Sequence, residues 1–479
     1  MQKVKLIKFI QLIPFLLGFT ANLYAQENVS SSGDMKNITL TKNQLIDELG
    51  KLELQLSDEY QFRLEEQLKS LLGDKNLQFK SHIARIYAEN DYLLLWENKQ
   101  AEKLFLREYA AMVASGVSKR AAESLDDIYK ESQVGGLLYD MLLTDAFLDY
   151  VYYSKNAKEF AQRWFYSVNS YKAKAPAEQD IQNWLSSIKN NDTLNFIQEL
   201  AQHNSLYEQI LDYLARLSGN ESKSSLYKLA INAQRLRAIP DFNNGIFVNI
   251  PSYQLHYYRD GQLVLTSKVI VGKQARKTPV MYSKLSNVVV NPPWTPTTLL
   301  INEDIVPKIK RDPDYVARNG YTISDSSGQV IDPHSIDWSS IGSRFPYRIR
   351  QAPGDSALGN YKFNMPSSDA IYLHDTPSRG LFAKKNRALS SGCVRVEKSD
   401  QLATILLQEA GWTEERKQKV LSSKKTTSAN IRSDNPVYLY YVTAWVENGV
   451  VQTLPDIYGY DQTPNLTYIN WNVIQQYLN

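Results

Sequence analysis

The feature that most constrains the fold is a change of texture at Pro240. Before it, apolar residues recur at helical spacing, as in Leu45, Leu49, Leu52 and Leu56, then Leu64, Leu68 and Leu71, and the pattern runs to about residue 232 with few Gly or Pro. Thr41 and Gln44 fit a capping box at the start of this region. After Pro240 the chain turns to short β-branched and aromatic runs separated by turn signals. Gly245 to Pro251, Gln254 to Tyr258, Leu263 to Val271, Asn287 to Asn291 and Ala370 to His374 read as strands, with Asp260-Gly261 as a hairpin turn. Gln401 to Ala410 reads as a helix, and Val437 to Glu447 with Asn448-Gly449 as a last hairpin. The expected class is α+β: an all-α domain over 41–232, then a β-rich domain over 233–479. Within the latter, 297–344 is rich in charge, Pro and Gly, with a helical piece at Asp304 to Lys310. Such an insertion is either a lid over a cleft or a surface loop.

A chain of 479 residues exceeds what one core usually organises. Its 54 Lys+Arg against 51 Asp+Glu leave a formal charge of +3 and no long basic block, so nucleic-acid binding is not expected. The N-terminus has a cationic start, an apolar run from Phe9 to Phe19 and a small residue at Ala25, which reads as a signal peptide over 1–25 followed by a linker over 26–40. An uncleaved anchor is the alternative and the one route to a membrane, but the apolar run falls short of the roughly 20 residues of a spanning helix. The apolar segment Leu137 to Tyr153 carries Asp140, Asp145 and Asp149, so it reads as a buried or half-buried helix.

An exported chain whose only cysteine is Cys393 cannot form an internal disulfide, and a free thiol in an oxidising compartment is a liability unless chemistry requires it. His374 stands nineteen positions earlier. A thiol needs a base or a positive neighbour to become the reactive thiolate, and histidine serves as either. Strand alternation puts Tyr372 on the same face as His374. Gly392 permits close backbone approach, so the amides of Gly392 and Cys393 are candidates for an oxyanion hole. The bland alternative is an inert thiol and an unrelated histidine. His82, His203, His256 and His334 lack paired metal spacing, and neither a metal nor a cofactor is expected. Trp294, Tyr438, Tyr440 and Tyr441 either line a sugar or peptide groove or pack in the core.

The segment from Ile371 to Pro377, with Arg387-Ala-Leu-Ser-Ser-Gly-Cys-Val-Arg-Val, resembles the catalytic motif of the L,D-transpeptidase (YkuD-type) family, with fifteen residues between His374 and Ser390. Asn291-Pro-Pro-Trp-Thr-Pro, Gln351-Ala-Pro-Gly and Leu358-Gly-Asn-Tyr-Lys-Phe-Asn-Met-Pro are similar to the large periplasmic, YcbB-like branch. The resemblance covers about residues 230–460 strongly and the helical region weakly. It implies a helical scaffold domain, a β-rich catalytic domain and a capping insertion. It also implies Cys393 as nucleophile, His374 as base and later acid, and Arg395 as a residue that binds a substrate carboxylate or braces the loop; Tyr372 and Trp294 are further candidate substrate contacts. Ser391 stands where many members have a second histidine. Asp375 invites a Cys-His-Asp triad, although the family is thought to orient its histidine through a backbone carbonyl. The implied activity is a 3-3 crosslink between peptidoglycan stem peptides, made through a thioester with loss of D-Ala, without a cofactor, in the periplasm of a Gram-negative-type bacterium and open to acylation by carbapenems. Cell-wall synthesis proteins are candidate partners beside the donor and acceptor stem peptides, and an L,D-carboxypeptidase or endopeptidase using the same thioester, or a silent wall-binding scaffold, stays open. The separate peptidoglycan-binding module of the large branch has no room here.

Overall fold

The computed structural model describes residues 58–479, except 64, 67, 71, 74, 168–169, 202–203, 218–220, 368–369 and 463–465. The leader, the linker, the capping box at Thr41 and Gln44, the leucines from Leu45 to Leu56, and Leu64, Leu71 and His203 lie outside the described residues. The chain divides into two units, Met1–Arg63 and Leu64–Asn479. Of the first, residues 58–63 are helical. The second carries the helices and the sheet.

Helices occupy Lys80–Glu89, Lys99–Ala114, Lys119–Glu131, Gly136–Trp164, Glu178–Lys189, Thr193–Leu200, Ser205–Ala215 and Lys223–Arg237. Four begin on a side chain that accepts a free backbone N–H of the first turn: Asn98, Ser118, Asn204 and Ser222. Gly136–Trp164 is the central helix, and its three aspartates, Asp140, Asp145 and Asp149, are buried. Asp149 accepts from the Tyr171 hydroxyl at 2.5 Å, and the other two are there because the backbone needs acceptors. Asp145 takes the amides of Gln78 at 2.9 Å and Phe79 at 2.7 Å, just ahead of the Lys80–Glu89 helix, while Asp140 takes those of Leu95 at 2.9 Å and Trp96 at 3.0 Å. Charge-assisted bonds of this kind offset the cost of burying a carboxylate.

The strands are β1 (Gly245–Asn249), β2 (Gln254–Arg259), β3 (Gln262–Gly272), β4 (Met281–Lys284), β5 (Asn287–Val290), β6 (Tyr321–Ser324), β7 (Arg348–Gln351) and β8 (Tyr361–Asn364). They continue with β9 (Leu373–His374), β10 (Ala388–Ser390), β11 (Val394–Val396), β12 (Thr427–Asn430), β13 (Pro436–Tyr440), β14 (Ala444–Glu447) and β15 (Val450–Thr453). One large curled sheet runs β12-β5-β8-β9-β11-β3-β2-β1-β13-β4, with β10 pairing β3. The two predicted turns close two-residue loops with both residues at positive φ, 46° and 73° at Asp260-Gly261 and 51° and 77° at Asn448-Gly449, the conformation that matches strand twist. The expected strand from Ala370 to His374 is shorter, only Leu373–His374, because Ala370 itself sits at φ 52° and breaks the extended run. The last hairpin joins β14 to β15, while β13 leaves it to pair with β1 and β4.

Helices and sheet share one core, and the helix Lys223–Arg237 runs through residue 232, where a domain boundary was expected. Arg235, buried, donates to Phe165 O at 3.0 Å, Tyr460 O at 2.8 Å and Asp461 Oδ1 at 2.7 Å. Asn232 exchanges bonds with Thr443, and the Tyr166 hydroxyl reaches Tyr441 O at 3.1 Å. The insertion has a small core of its own around Ile305, Ile309, Ile323 and Ile349. Its ends are clasped by a reciprocal pair, Trp294 N to Gln351 O at 3.1 Å and Gln351 N to Trp294 O at 2.8 Å, so it extends slightly beyond 297–344 on both sides. Its helical stretch spans Thr298–Arg311, five residues of which, Ile301–Ile305, form a π turn. Among the described residues, no helix is long and apolar enough to cross a membrane.

Candidate active site

Three neighbouring strands build the site. β8 lies antiparallel and β11 parallel to β9, with Lys362 and Arg395 each in register with His374. Residues paired in this way share a face of the sheet, so Lys362, His374 and Arg395 form a row across three strands. Tyr372 and Cys393 stand two residues earlier on their segments and return to the same face. The Tyr372 and His374 rings meet edge to face at 5.7 Å. Tyr361, Phe363, Leu373, Val394 and Val396 point the other way into the core.

Cys393, His374, Tyr372 and Arg395 line a cavity of about 240 Å³. Trp294 lies at its rim, and the insertion supplies the opposite wall through Asp304, Lys308 and Tyr315. The insertion, read from the sequence as either a lid or a surface loop, thus forms part of the cavity wall.

His374 is buried, and its Nδ1 bonds the carbonyl oxygen of Asp375. A carbonyl only accepts, so Nδ1 carries the hydrogen and Nε2 keeps a free lone pair. Burial, then the Arg395 charge, lowers the His374 pKa to about 3, so the ring is neutral at physiological pH. The Asp375 carboxylate faces elsewhere, accepting from Ser399 Oγ at 2.7 Å, Arg379 Nη1 at 3.1 Å and Asn360 N at 2.9 Å. The side-chain triad is therefore corrected: the backbone of Asp375 orients the imidazole, while its carboxylate braces the loop. Gly359 makes room for this, since its φ is 62° and a Cβ there would lie 2.8 Å from Asp375 Cβ.

Cys393 is half-buried, with Sγ 3.8 Å from Ala370 O. Burial pushes its thiol up, against hydrogen bonds from the Tyr372 backbone and hydroxyl and the charges of Lys362 and Arg395. The resting pair is thus thiol and neutral imidazole rather than an ion pair. Trp294 in turn hydrogen-bonds the Tyr372 side chain. Gly392 adopts φ 121°, and its amide is already engaged by Ser390 Oγ at 3.2 Å, which leaves Cys393 as the other backbone donor expected for an oxyanion. Ser390 Oγ also donates to Cys393 O at 2.6 Å, and Thr278 Oγ1 holds Gly392 O at 2.7 Å. Ser391 is exposed at the seam with the insertion: it accepts from Arg276 at 3.2 Å, and Arg276 pairs with Glu303 at 2.6 Å and with Asp304.

Sequence reasoning missed Lys362, Thr278 and Arg276. Lys362 had a signal, the outward position in the alternating Tyr361-Lys-Phe-Asn; for Thr278 and Arg276 we find none. The tyrosines expected at a groove or in the core, Tyr438, Tyr440 and Tyr441, are buried away from the cavity, Tyr438 stacking on Phe247 at 4.8 Å. His82 and His256 are on other elements, and His334 pairs with Asp314 at 2.8 Å.

Residues 243–421 match the model of the YkuD L,D-transpeptidase catalytic domain, and residues 81–214 match the Scaffold domain. A Haemophilus influenzae protein named "Putative L,D-transpeptidase" is 61% identical over 424 residues, covering 88% of this chain and 87% of that one. The chain belongs to the L,D-transpeptidase family. A solved structure of the Ldtfm-avibactam carbamoyl enzyme is 11% identical, covers 46% of this chain and 61% of that chain, and has a TM-score of 0.20, too low to carry an argument. An L,D-transpeptidase catalytic domain implies an acyltransferase, and the α+β architecture, scaffold helices followed by the curled sheet, is that of the family.

Proposed function

We propose that this L,D-transpeptidase uses Cys393 as its nucleophile to form 3-3 peptidoglycan crosslinks. The observation that carries the reading is the tautomer of His374: a bare Nε2 lines the same cavity as the Cys393 thiol, and a neutral imidazole with a free lone pair is what a general base requires. Nε2 takes the thiol proton as Sγ attacks the carbonyl of the third stem residue. The C–N bond to the terminal D-Ala breaks, the imidazolium returns the proton to the leaving nitrogen, and a thioester remains. An amine from a neighbouring stem then loses a proton to His374, attacks the thioester and frees the thiol. Each half balances without a cofactor. Arg395 faces the cavity as a carboxylate contact, with Tyr372 and Trp294 as further walls. Donor and acceptor stem peptides are the partners in this scheme, and the leader-like N-terminus supports action in the periplasm of a Gram-negative-type bacterium.

Intact-mass spectrometry of the reduced, folded protein with a carbapenem tests the assignment. The wild type is expected to gain one covalent adduct and Cys393→Ala none, with acyl-enzyme formation from a stem donor abolished in the variant. Turnover by Cys393→Ala sinks the proposal.

A further inference from the structure

We infer that Thr278 and Tyr458 are positioning residues for the acyl-transfer step: through two hydroxyl groups they fix the plane of the Gly392–Cys393 peptide, so that the Cys393 N–H is aimed at the oxygen of the carbonyl under attack. This role rests on the proposed Cys393 thioester. The backbone at the nucleophile is almost fully engaged. Gly392 N donates to Ser390 Oγ at 3.2 Å, Gly392 O accepts from Thr278 Oγ1 at 2.7 Å, and Cys393 O accepts from Ser390 Oγ at 2.6 Å. Of the four polar backbone groups of this pair, the Cys393 N–H is the one without a partner among the described residues.

A trans peptide carries its C=O and N–H on opposite edges. Thr278 is buried and is no part of the cavity wall, so it draws the Gly392 carbonyl toward the core and turns the Cys393 amide the other way, to the side on which the thiol lines the cavity. The Thr278 hydroxyl has one hydrogen and gives it to Gly392 O, because its Oγ1 already accepts from Gly272 N at 2.8 Å. Tyr458 fixes Thr278 in turn: its hydroxyl donates to Gly272 O at 2.6 Å and accepts from Thr278 N at 3.0 Å. Burial pushes that phenol up to about 12, so it keeps the proton it donates. The loop from Gly272 to Thr278 has no slack, since a Cβ on Gly272 would lie 2.2 Å from Arg276 O and 2.6 Å from Thr278 N.

Neither residue lines the cavity, so each acts through the peptide rather than on the substrate. Tyr458 is itself held from the helical half. Its N donates to the Tyr441 hydroxyl at 2.9 Å, that hydroxyl donates to Asp456 at 2.5 Å, Asp456 accepts from Asp461 N at 2.8 Å, and Asp461 pairs with the buried Arg235 at 2.7 Å. Lys277 adds a bond to Tyr458 O at 2.8 Å. The chemistry sets the demand on this peptide. As Sγ bonds to the carbonyl carbon, the C=O π pair moves onto oxygen; it returns to re-form C=O as the C–N bond breaks and the imidazolium protonates the leaving nitrogen. An N–H already aimed at that oxygen stabilises the oxyanion without reorganising, whereas one whose peptide can swing stabilises it less.

The test sets a reaction that makes an oxyanion against one that does not. Acylation of the full chain by a carbapenem passes through a tetrahedral oxyanion, whereas iodoacetamide alkylates Cys393 by displacing iodide from a saturated carbon and makes none. Thr278→Val is expected to slow acylation about 10-fold to 100-fold, less than the roughly 10²–10³ of deleting a donor outright, while alkylation at the same pH stays within about 2-fold of wild type. Thr278→Ser keeps the hydroxyl and should restore acylation, and Tyr458→Phe should lose about 3-fold to 10-fold in acylation alone. Equal losses in both reactions would make Thr278 a structural residue and overturn the inference, as would acylation unchanged in Thr278→Val or not restored by Thr278→Ser. If Thr278→Val fails to fold, Tyr458→Phe decides in the same way, and acylation at the wild-type rate is the overturning result. A wild type that takes the carbapenem adduct while the variants acylate as fast refutes only this positioning; a wild type that takes no adduct refutes the thioester itself.

Discussion

Buried charge is handled in opposite ways in the helical half and in the cysteine cavity. Among the helices, Arg237 meets Glu108 at 2.5 Å with Tyr207 adding a bond at 2.8 Å, Arg235 meets Asp461, and Asp140 and Asp145 terminate backbone amides. On the open face of β8, β9 and β11, Lys362 and Arg395 make no ion pair among the described residues, and the buried Arg395 Nε has no hydrogen bond among them. Satisfied networks of the first kind mark architecture, and the unpaired cations stand beside the candidate nucleophile.

The contrast can be broken from the helical side. Arg235→Ala strips a buried cation from Asp461 and three other acceptors, and is expected to cost about 3–5 kcal/mol in urea unfolding, as for other broken buried pairs. A loss near zero would mean that the clasp between helices and sheet is not held there. A smaller effect is expected at Asp149, whose pKa burial raises to about 7 and whose buried Oδ2 has no hydrogen-bond partner among the described residues. With the folded pKa above the ordinary carboxylate range, the stability contributed is fully present below that range and lost as pH rises through about 7. Asp149→Asn keeps an acceptor for Tyr171 and should flatten the fall in stability between about pH 5 and pH 8 by about 1–3 kcal/mol, readable by thermal melts across that range. An unchanged slope would assign the pH dependence to other groups, with Asp145, raised to about 6, first among them. The smallest effect sharpens the other side. Because His374 is neutral down to about 3 and burial pushes the Cys393 thiol up, alkylation by iodoacetamide should rise only in the alkaline range. A step near about pH 6.5 would reveal a thiolate–imidazolium pair instead.

Much of this was legible beforehand because its signals are local. Asp260-Gly261 and Asn448-Gly449 name their own turn geometry, and the spacing from His374 to Cys393 sits within one stretch of chain. What escaped needed contacts across strands. Lys362 joins His374 only because β8 pairs with β9, and an outward lysine in Tyr361-Lys-Phe-Asn looks like any solvated one. The role of Asp375 turned on which of its oxygens faces the ring, and residue type alone cannot choose between a carboxylate and the carbonyl beside it. Likewise the acids of Gly136–Trp164 warned against a membrane span but did not name the amides they serve.

The reciprocal bond between Trp294 and Gln351 gathers both ends of the insertion at one point on the rim of the cavity. A segment that leaves and re-enters the sheet through a single gate, with a core of its own, behaves as a cassette. Exchanging it for the cassette of a relative would change one wall of the cavity while leaving the strands that carry Cys393 and His374 where they are, so the shape of the cavity and the geometry of that pair can drift independently.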